Sequence, residues 1–169
     1  MDKQLNGFIS FDLLSDAMWD DNPRLLKLYL DNYMEEIPTS FIDEMAFKAY
    51  DENLIMQAMD YCREGYTADS IENAYDSGHV SENVMYRMLD NLNGDVPFDM
   101  LMDFAESTVS REFVRAFALK CREKASLDDI IDLIDIFEGA EILDCIEPVV
   151  AQLGTKDSAK LREYIEDNY

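Results

Sequence analysis

A spacing of 29 residues recurs along the whole chain, and it constrains the fold more than any other feature of the sequence. Residues that commonly begin helices lie at this interval: Ser10, Thr39, Ala68, Pro97, Ser126 and Thr155. Ser and Thr side chains accept a hydrogen bond from a free N–H group in the first turn, and Pro has the φ angle that this turn needs. At the Ala68 position, the neighbouring Thr67 can supply the cap. The spacing predicts a series of helices with a common start, which we call the second helices.

A second pattern at the same interval consists of large apolar residues. It comprises two columns that lie four residues apart: Leu26, Ile55, Val84, Phe113 and Ile142, followed by Leu30, Met59, Met88, Phe117 and Ile146. Residues at i and i+4 lie on the same side of an α-helix, so each pair predicts a helix with a buried face. Pro23, Ser81 and Ser110 lie just before three of these helices as start signals. We call them the first helices and predict that all ten residues belong to the core.

The two series alternate along the chain and predict an all-α fold built from helical hairpins. The five repeats, each a first helix, a turn and a second helix, span 23–51, 52–80, 81–109, 110–138 and 139–167. A helix over 10–20 precedes them in the phase of a second helix, so it forms a half-repeat. We expect residues 1–169 to be a single domain, a short α-solenoid of at least nine helices without a β-sheet.

In architecture the sequence resembles the α-solenoid class, which includes the HEAT, armadillo and tetratricopeptide repeat proteins. Its period is shorter than those of tetratricopeptide and ankyrin repeats, and it lacks their Trp-Leu-Gly and Thr-Pro-Leu-His signatures. The resemblance implies the binding of other proteins along an extended surface. It assigns no role to any individual residue.

The charge of the chain is strongly negative, and this excludes several classes of function. There are 37 Asp and Glu residues against 14 Lys and Arg residues, which gives a net charge of −23. Direct binding to nucleic acid requires clustered Lys and Arg, so it is not expected. No apolar stretch is long enough to span a membrane, and the first residues do not have the pattern of a secretory leader.

The cysteine and histidine content gives no support to a metal site. Cys62, Cys121 and Cys145 are odd in number and form no CxxC pair, and His79 is the only histidine. We expect no metal, no cofactor and three reduced thiols in the cytoplasm. No G-x-S-x-G, Walker or dinucleotide motif is present, and no nucleophile, base and orienting group can be combined, so an enzyme is not expected.

Acidic residues also recur at the 29-residue interval, on the predicted second helices. One column holds Asp12, Asp99, Asp128 and Asp157, a second holds Asp16, Asp103 and Asp132, and Glu106 and Asp135 adjoin them. The columns lie four residues apart on helices that pack at about 10 Å, so we expect a ladder of negative charge along one side of the stack. They are interrupted by Phe41, Ser70, Met45, Ala74 and Leu161. The ladder is either a solvated face that aids solubility or a docking surface for a basic partner.

Basic and aromatic residues give two further expectations. The bases Arg87, Arg111, Arg115, Lys120, Arg122 and Lys124 lie on or beside the first helices of repeats three and four. We expect them to pair with neighbouring acids, and a local positive patch that orients a partner is the alternative. The aromatic set is expected mostly to pack in the core, although exposed tyrosines often anchor interfaces. This set comprises Trp19, Tyr29, Tyr33, Tyr50, Tyr61 and Tyr66.

Charge and architecture together favour a non-enzymatic binding protein or inhibitor that docks on a basic surface of another protein. Its partner would be a nuclease or another nucleic-acid-binding protein, as for acidic anti-CRISPR, anti-restriction and immunity proteins, and the negative field would speed association. The alternative is a helical-repeat scaffold or adaptor that binds a helix or peptide through apolar and tyrosine contacts. The sequence leaves the oligomeric state open.

Overall fold

The computed structural model describes residues 9–107, 109–137 and 140–169, and within these ranges the chain is all-helical. The first helices are α2 (Pro23–Leu30), α4 (Glu52–Met59), α6 (Glu82–Asp90), α8 (Arg111–Ala118) and α10 (Leu143–Val150), the last preceded by a 3-10 turn (Ala140–Ile142). The second helices are α1 (Phe11–Trp19), α3 (Thr39–Phe47), α5 (Ala68–Asp76), α7 (Phe98–Glu106), α9 (Leu127–Ile136) and α11 (Thr155–Asn168). The described residues contain no strand, so the predicted all-α fold is confirmed.

The chain divides into two compact units, Met1–Asn93 and Gly94–Tyr169, and each is described by itself. The first unit contains α1 to α6, and the second contains α7 to α11. A single domain over 1–169 and the regular superposition of successive hairpins in a solenoid stay predictions. The predicted boundary between the fourth and fifth repeats, at residues 138 and 139, lies outside the described residues.

Side-chain caps fix the starts of most helices where the sequence predicts them. Hydroxyl groups of Ser10, Thr67, Ser81, Ser110 and Ser126 each accept a hydrogen bond from a backbone N–H in the first turn. At α9 the cap is reciprocal, because the carboxylate in the first turn accepts from the backbone N–H of the capping residue. The first helices are short, with eight or nine residues each.

The predicted core is confirmed at every position. All ten apolar residues of the first helices are buried, with at most 4% of their surface exposed. In the second unit an aromatic cluster forms part of this core: the ring of Phe117 lies 4.7 Å from that of Phe104 and 5.8 Å from that of Phe113. These contacts combine burial of apolar surface with favourable ring geometry.

The interval between helices is not constant. The second helices begin at residues 11, 39, 68, 98, 127 and 155, so the successive intervals are 28, 29, 30, 29 and 28. Part of the variation arises in the short turns, which grow from three residues after α1 to four after α3 and five after α5. Each of these turns contains one residue with a left-handed φ angle, namely Asp21, Ala49 or Gly78. Such a residue ends a helix sharply and allows the next to begin within a few residues.

The second helices α1, α3, α5 and α7 each pack on the first helix that follows. In the first unit α1 packs on α2, α3 on α4 and α5 on α6, while α2, α4 and α6 also contact one another in succession and α3 contacts α5. In the second unit α7 packs on α8, α8 on α10, and α7, α9 and α11 contact in succession. The compact hairpin is thus offset by one helix from the predicted repeat boundaries.

A column of buried residues that the sequence analysis missed lies just before the second helices. It includes Ile9, Ile37, Tyr66 and Val96, all nearly inaccessible to solvent. Here the longer loops meet: the N–H of Ile37 donates to Tyr61 O at 3.0 Å, and that of Tyr66 donates to Asn91 O at 3.0 Å. These bonds satisfy buried backbone groups that lie outside the helices.

Candidate functional site

Counting residues from the start of each second helix shows which acidic residues occupy equivalent positions on the exposed sides of these helices. The second residue of the successive helices α1, α3, α5, α7 and α9 is Asp12, Ser40, Asp69, Asp99 and Asp128. Four residues later stand Asp16, Glu44, Asn73, Asp103 and Asp132. All ten are exposed except Glu44, which is half-buried. Residues four apart lie on one side of a helix, so each of these helices has a polar and mainly acidic outer side.

The acidic columns are interrupted at other residues than predicted, namely Ser40 in the first column and Asn73 in the second. Phe41, Ser70, Met45, Ala74 and Leu161 are all buried. Each lies one residue later in its helix than the exposed acidic positions, because the helix starts do not follow a constant 29-residue interval. The constant interval therefore selected the inner side of α3, α5 and α11 in place of the outer side.

Two acidic residues of this side were missed for the same reason. Asp69 is exposed on α5, and Glu44 is half-buried on α3. The signal that could have found Asp69 is its cap: the side chain of Thr67 accepts from the N–H of Ser70, which fixes the start of α5 at Ala68. With α5 aligned on that cap, Asp69 falls in the same column as Asp99.

In the second unit the acidic side has few internal partners. Asp99, Asp103, Asp128 and Asp132 are exposed, and none of their side chains forms a hydrogen bond or ion pair with any residue that the structure describes. Glu106, at the end of α7, is also exposed. The charges are therefore available to solvent or to another molecule. In the first unit the same holds for Asp12 and Asp16.

Two of the predicted binding residues have internal contacts. The hydroxyl of Tyr164 donates a short hydrogen bond to Asp135 Oδ1, and that of Tyr169 donates to the same atom at 3.2 Å. This contact with Asp135 raises the pKa of Tyr164 to about 12. Asp157 is half-buried and lies 3.7 Å from the Lys160 ammonium. Asp135 thus fastens α11 to α9, and Asp157 lies beside the outer side rather than on it.

The basic residues pair mainly with acids of neighbouring first helices and loops. Arg87 binds Asp60 and donates to Met56 O at 2.9 Å. In the second unit three more arginines form ion pairs: Arg111 with Glu141 at 3.0 Å, Arg115 with Glu147 at 3.7 Å and Arg122 with Asp95 at 3.4 Å. Intramolecular pairing is thus confirmed for these four arginines, and none of the four pairs involves an acid of the second helices. Exposed pairs of this kind add little to stability.

The tyrosines contribute chiefly to packing. Tyr33, Tyr50 and Tyr66 are buried, and the hydroxyl of Tyr50 donates to Met18 O at 2.8 Å. Trp19 differs from them, because 59% of its surface is exposed and the ammonium of Lys48 lies 4.6 Å from its ring centre. Tyr29 and Tyr61 are half-buried, and the most exposed aromatic rings of the described first unit are those of Trp19 and Phe47.

Two adjacent grooves lie on the second helices of the first unit. The groove between α3 and α5 has a volume of about 350 Å³ and is lined by Ser40, Asp43, Glu44, Phe47, Asn73, Asp76 and Ser77. The groove between α1 and α3 has a volume of about 330 Å³ and includes Phe11, Trp19, Phe41 and Glu44 in its lining. Phe47 is 74% exposed, so one wall of the first groove is an accessible aromatic ring.

Asp43 has an unusual environment in the wall of the α3–α5 groove. Its Oδ1 atom is enclosed, and it accepts no hydrogen bond from the part of the chain that the structure describes. Burial raises the pKa of the Asp43 carboxyl to about 6, while the neighbouring Ser70 hydroxyl partly offsets this shift. A buried oxygen without a donor is costly, so the wall of the groove encloses an unmet hydrogen-bond acceptor.

Searches for a metal site and for a membrane span gave negative results over the described ranges. Among these residues, no group of three or more His, Cys, Asp or Glu side chains is placed to hold a metal ion. No helix that the structure describes combines the length and apolar character needed to cross a membrane. Comparison of the chain with protein-family models, curated proteins and solved structures found no match. The surfaces themselves are therefore the basis for a functional proposal.

Proposed function

We propose that this chain is a non-enzymatic binding protein or inhibitor whose acidic second helices dock on a basic surface of a partner protein. One observation carries the proposal. Exposed carboxylates recur at two fixed places of the second helices, and Asp99, Asp103, Asp128 and Asp132 have no internal partner among the described residues. If the acids served only to balance internal bases, ion pairs would be expected at these places.

The distribution of the bases supports the same conclusion. Four arginines on or near the first helices are paired with acids other than the exposed carboxylates of the second helices, namely Arg87, Arg111, Arg115 and Arg122. A surface with one sign of charge attracts its opposite over roughly 10 Å at ordinary salt concentrations. Such attraction raises association rates by about ten-fold or more at low salt.

The chemistry of the partner follows from the charge. A basic site that normally binds phosphate groups, as in a nuclease or another nucleic-acid-binding protein, would meet carboxylates in place of phosphates. We assign the protein to the cytoplasm, where buried thiols stay reduced. Burial raises the pKa of Cys121 and of Cys145, which keeps both in the unreactive thiol form.

A second candidate is a scaffold that binds a helix or peptide through apolar contacts. Trp19 and Phe47 favour it, because large exposed aromatic residues beside grooves mark interaction sites. The buried tyrosines argue against the tyrosine contacts in this alternative. The two candidates differ in their dependence on salt, since apolar contacts are much less screened than charge attraction.

The experiment that tests the proposal is affinity capture from the native host, repeated at low and high salt. Three baits are compared: the wild type, the triple variant Asp99→Lys, Asp103→Lys, Asp132→Lys, and a triple variant with the same change in charge at Asp90, Glu112 and Asp144. The control residues are exposed and lie on first helices. We expect a partner that the wild type and the control retain at low salt and the first triple loses. If both triple variants lose the partner equally, only the total charge of the protein matters for binding. If both retain the partner, the scaffold candidate is favoured.

A further inference from the structure

We propose that the groove between α3 and α5 receives an arginine side chain from an amphipathic helix of the partner. This inference rests on the proposed function, and it names the element by which a basic partner would be anchored on the first unit. The proposed occupant of the groove is a cationic helix with apolar residues beside its arginine.

The lining of the groove argues for a cation. Three carboxylates, those of Asp43, Glu44 and Asp76, contribute to its walls, and no Lys or Arg is among the described residues that line it. None of the three forms an ion pair with the residues that the structure describes. A cationic group entering here would be close to several negative charges in a partly desolvated space, where attraction is stronger than in open water.

The several carboxylates of the lining argue for a hydrogen-bond donor with more than one N–H group at the end of the incoming side chain. Asp43, Glu44 and Asp76 all contribute to the walls, although the Oδ1 atom of Asp43 is itself enclosed and out of reach from the groove. A guanidinium group can donate to two of these carboxylates at once, because its five donors form a planar fork. An ammonium group is a compact, strongly hydrated charge and lacks this fork.

Phe47 argues for arginine flanked by apolar residues. Its ring borders the groove and is 74% exposed, so it can stack against a guanidinium plane or cover an apolar side chain. The neighbouring groove shares Ser40 and Glu44 with the first and ends at the exposed ring of Trp19. A helix lying across α3 would therefore reach both aromatic residues, in the manner of helix-in-groove recognition.

The size of the groove agrees with this occupant. Its volume of about 350 Å³ lies at the lower end of the range for small-molecule sites, roughly 300–1,000 Å³. It suits one or two long side chains. The remainder of a partner helix would lie outside, against the acidic side of α3 and α5.

The test uses a synthetic amphipathic helical peptide with arginines and leucines on one face, titrated into the full chain by calorimetry and amide NMR. A second peptide replaces each arginine by citrulline, which has nearly the same shape without the charge. We expect saturable binding of the arginine peptide, shifts concentrated on α3 and α5, and at least about ten-fold weaker binding of the citrulline peptide. Absence of saturable binding, or equal binding of both peptides, would overturn the proposal.

Single substitutions in the protein test whether the peptide binds at the groove between α3 and α5. Asp43→Asn and Phe47→Ser should each weaken binding of the arginine peptide by about five-fold or more, whereas Glu35→Gln and Leu28→Ser should change its affinity by less than about two-fold. Both controls lie in the first unit and outside the groove, on exposed positions. Phe47 is exposed, so its variant is expected to fold as the wild type does. If the control variants weaken peptide binding as much as the groove variants do, the peptide does not bind specifically at the groove.

The peptide experiments and the capture experiment with the triple variants distinguish failure of the arginine groove from failure of the acidic docking surface. If the peptide fails to bind but the native partner still depends on Asp99, Asp103 and Asp132, only the groove is refuted. If the peptide binds at the groove while both triple variants retain the partner, the acidic docking surface is refuted and the groove stands.

Discussion

Replacing Phe117 by alanine should destabilise the second unit strongly, because this residue lies at the centre of its core. The side chain is fully buried and contacts the rings of Phe104 and Phe113. Removing it forfeits about 1.5–3 kcal/mol of burial and two ring contacts of about 0.5–1.5 kcal/mol each. The expected loss of unfolding free energy is therefore about 3–5 kcal/mol, as for other buried aromatic residues changed to alanine.

Urea unfolding followed by circular dichroism measures this loss. The matched control is Leu119→Ala, two residues further along, where 64% of the side chain is exposed. Its unfolding free energy should change by no more than about 0.5 kcal/mol. If Phe117→Ala unfolds at the same urea concentration as this control, the assignment of the first-helix columns to the core is refuted.

Three further predictions concern backbone strain and ionisation. Both Gly65→Ala and Gly78→Ala introduce strain at a left-handed φ, but only at Gly65 would the new Cβ lie 2.8 Å from a neighbouring carbonyl oxygen. In chemical denaturation the Gly65→Ala variant should therefore be less stable than the Gly78→Ala variant by about 1 kcal/mol or more. Equal stability of the two variants would contradict the packing of the loop around Gly65. Because burial raises the pKa of Asp43 to about 6, the protonated carboxyl is favoured by folding and this contribution is lost as the pH rises through that value. Asp43→Asn should therefore raise Tm relative to wild type at about pH 8 and have a smaller effect at about pH 4, and the reverse order would refute the burial of this carboxyl. Asp135→Asn should lower the pKa of Tyr164 from about 12 towards its ordinary value of 10.0, read from phenolate absorbance, and an unchanged titration would show that their hydrogen bond does not form in solution.

The fold could be predicted largely from the sequence, because helix caps and apolar pairs are local signals. The hydroxyl groups of Ser10, Ser81 and Ser110 cap helix starts, so these residues predict where helices begin. Pairs at i and i+4 such as Leu26 and Leu30 predict the buried side of a helix from its own sequence alone. The pairing of loops before the second helices was missed. It depends on hydrogen bonds between residues far apart in the chain, for which the sequence has no comparable periodic signal.

The candidate site was predicted less well, because an error of one residue turns a position by about 100° around the helix axis and moves it from the exposed side to the buried one. A constant interval placed Phe41 and Met45 in the acidic columns, whereas the true register places Ser40 and Glu44 there. The groove at Asp43 could not be predicted at all. It arises from the packing of α3 on α5 and leaves no motif within either helix.

The most direct test of the central claim is the association rate of the purified partner with wild type and with the two triple variants, measured by stopped flow over a range of salt. The account predicts that Lys at Asp99, Asp103 and Asp132 slows association by about ten-fold or more at low salt. The rate for this variant should also lose most of its salt dependence, while the variant at Asp90, Glu112 and Asp144 stays close to wild type. Association rates that are equal for the two variants at every salt concentration would contradict a specific acidic docking surface on the second helices.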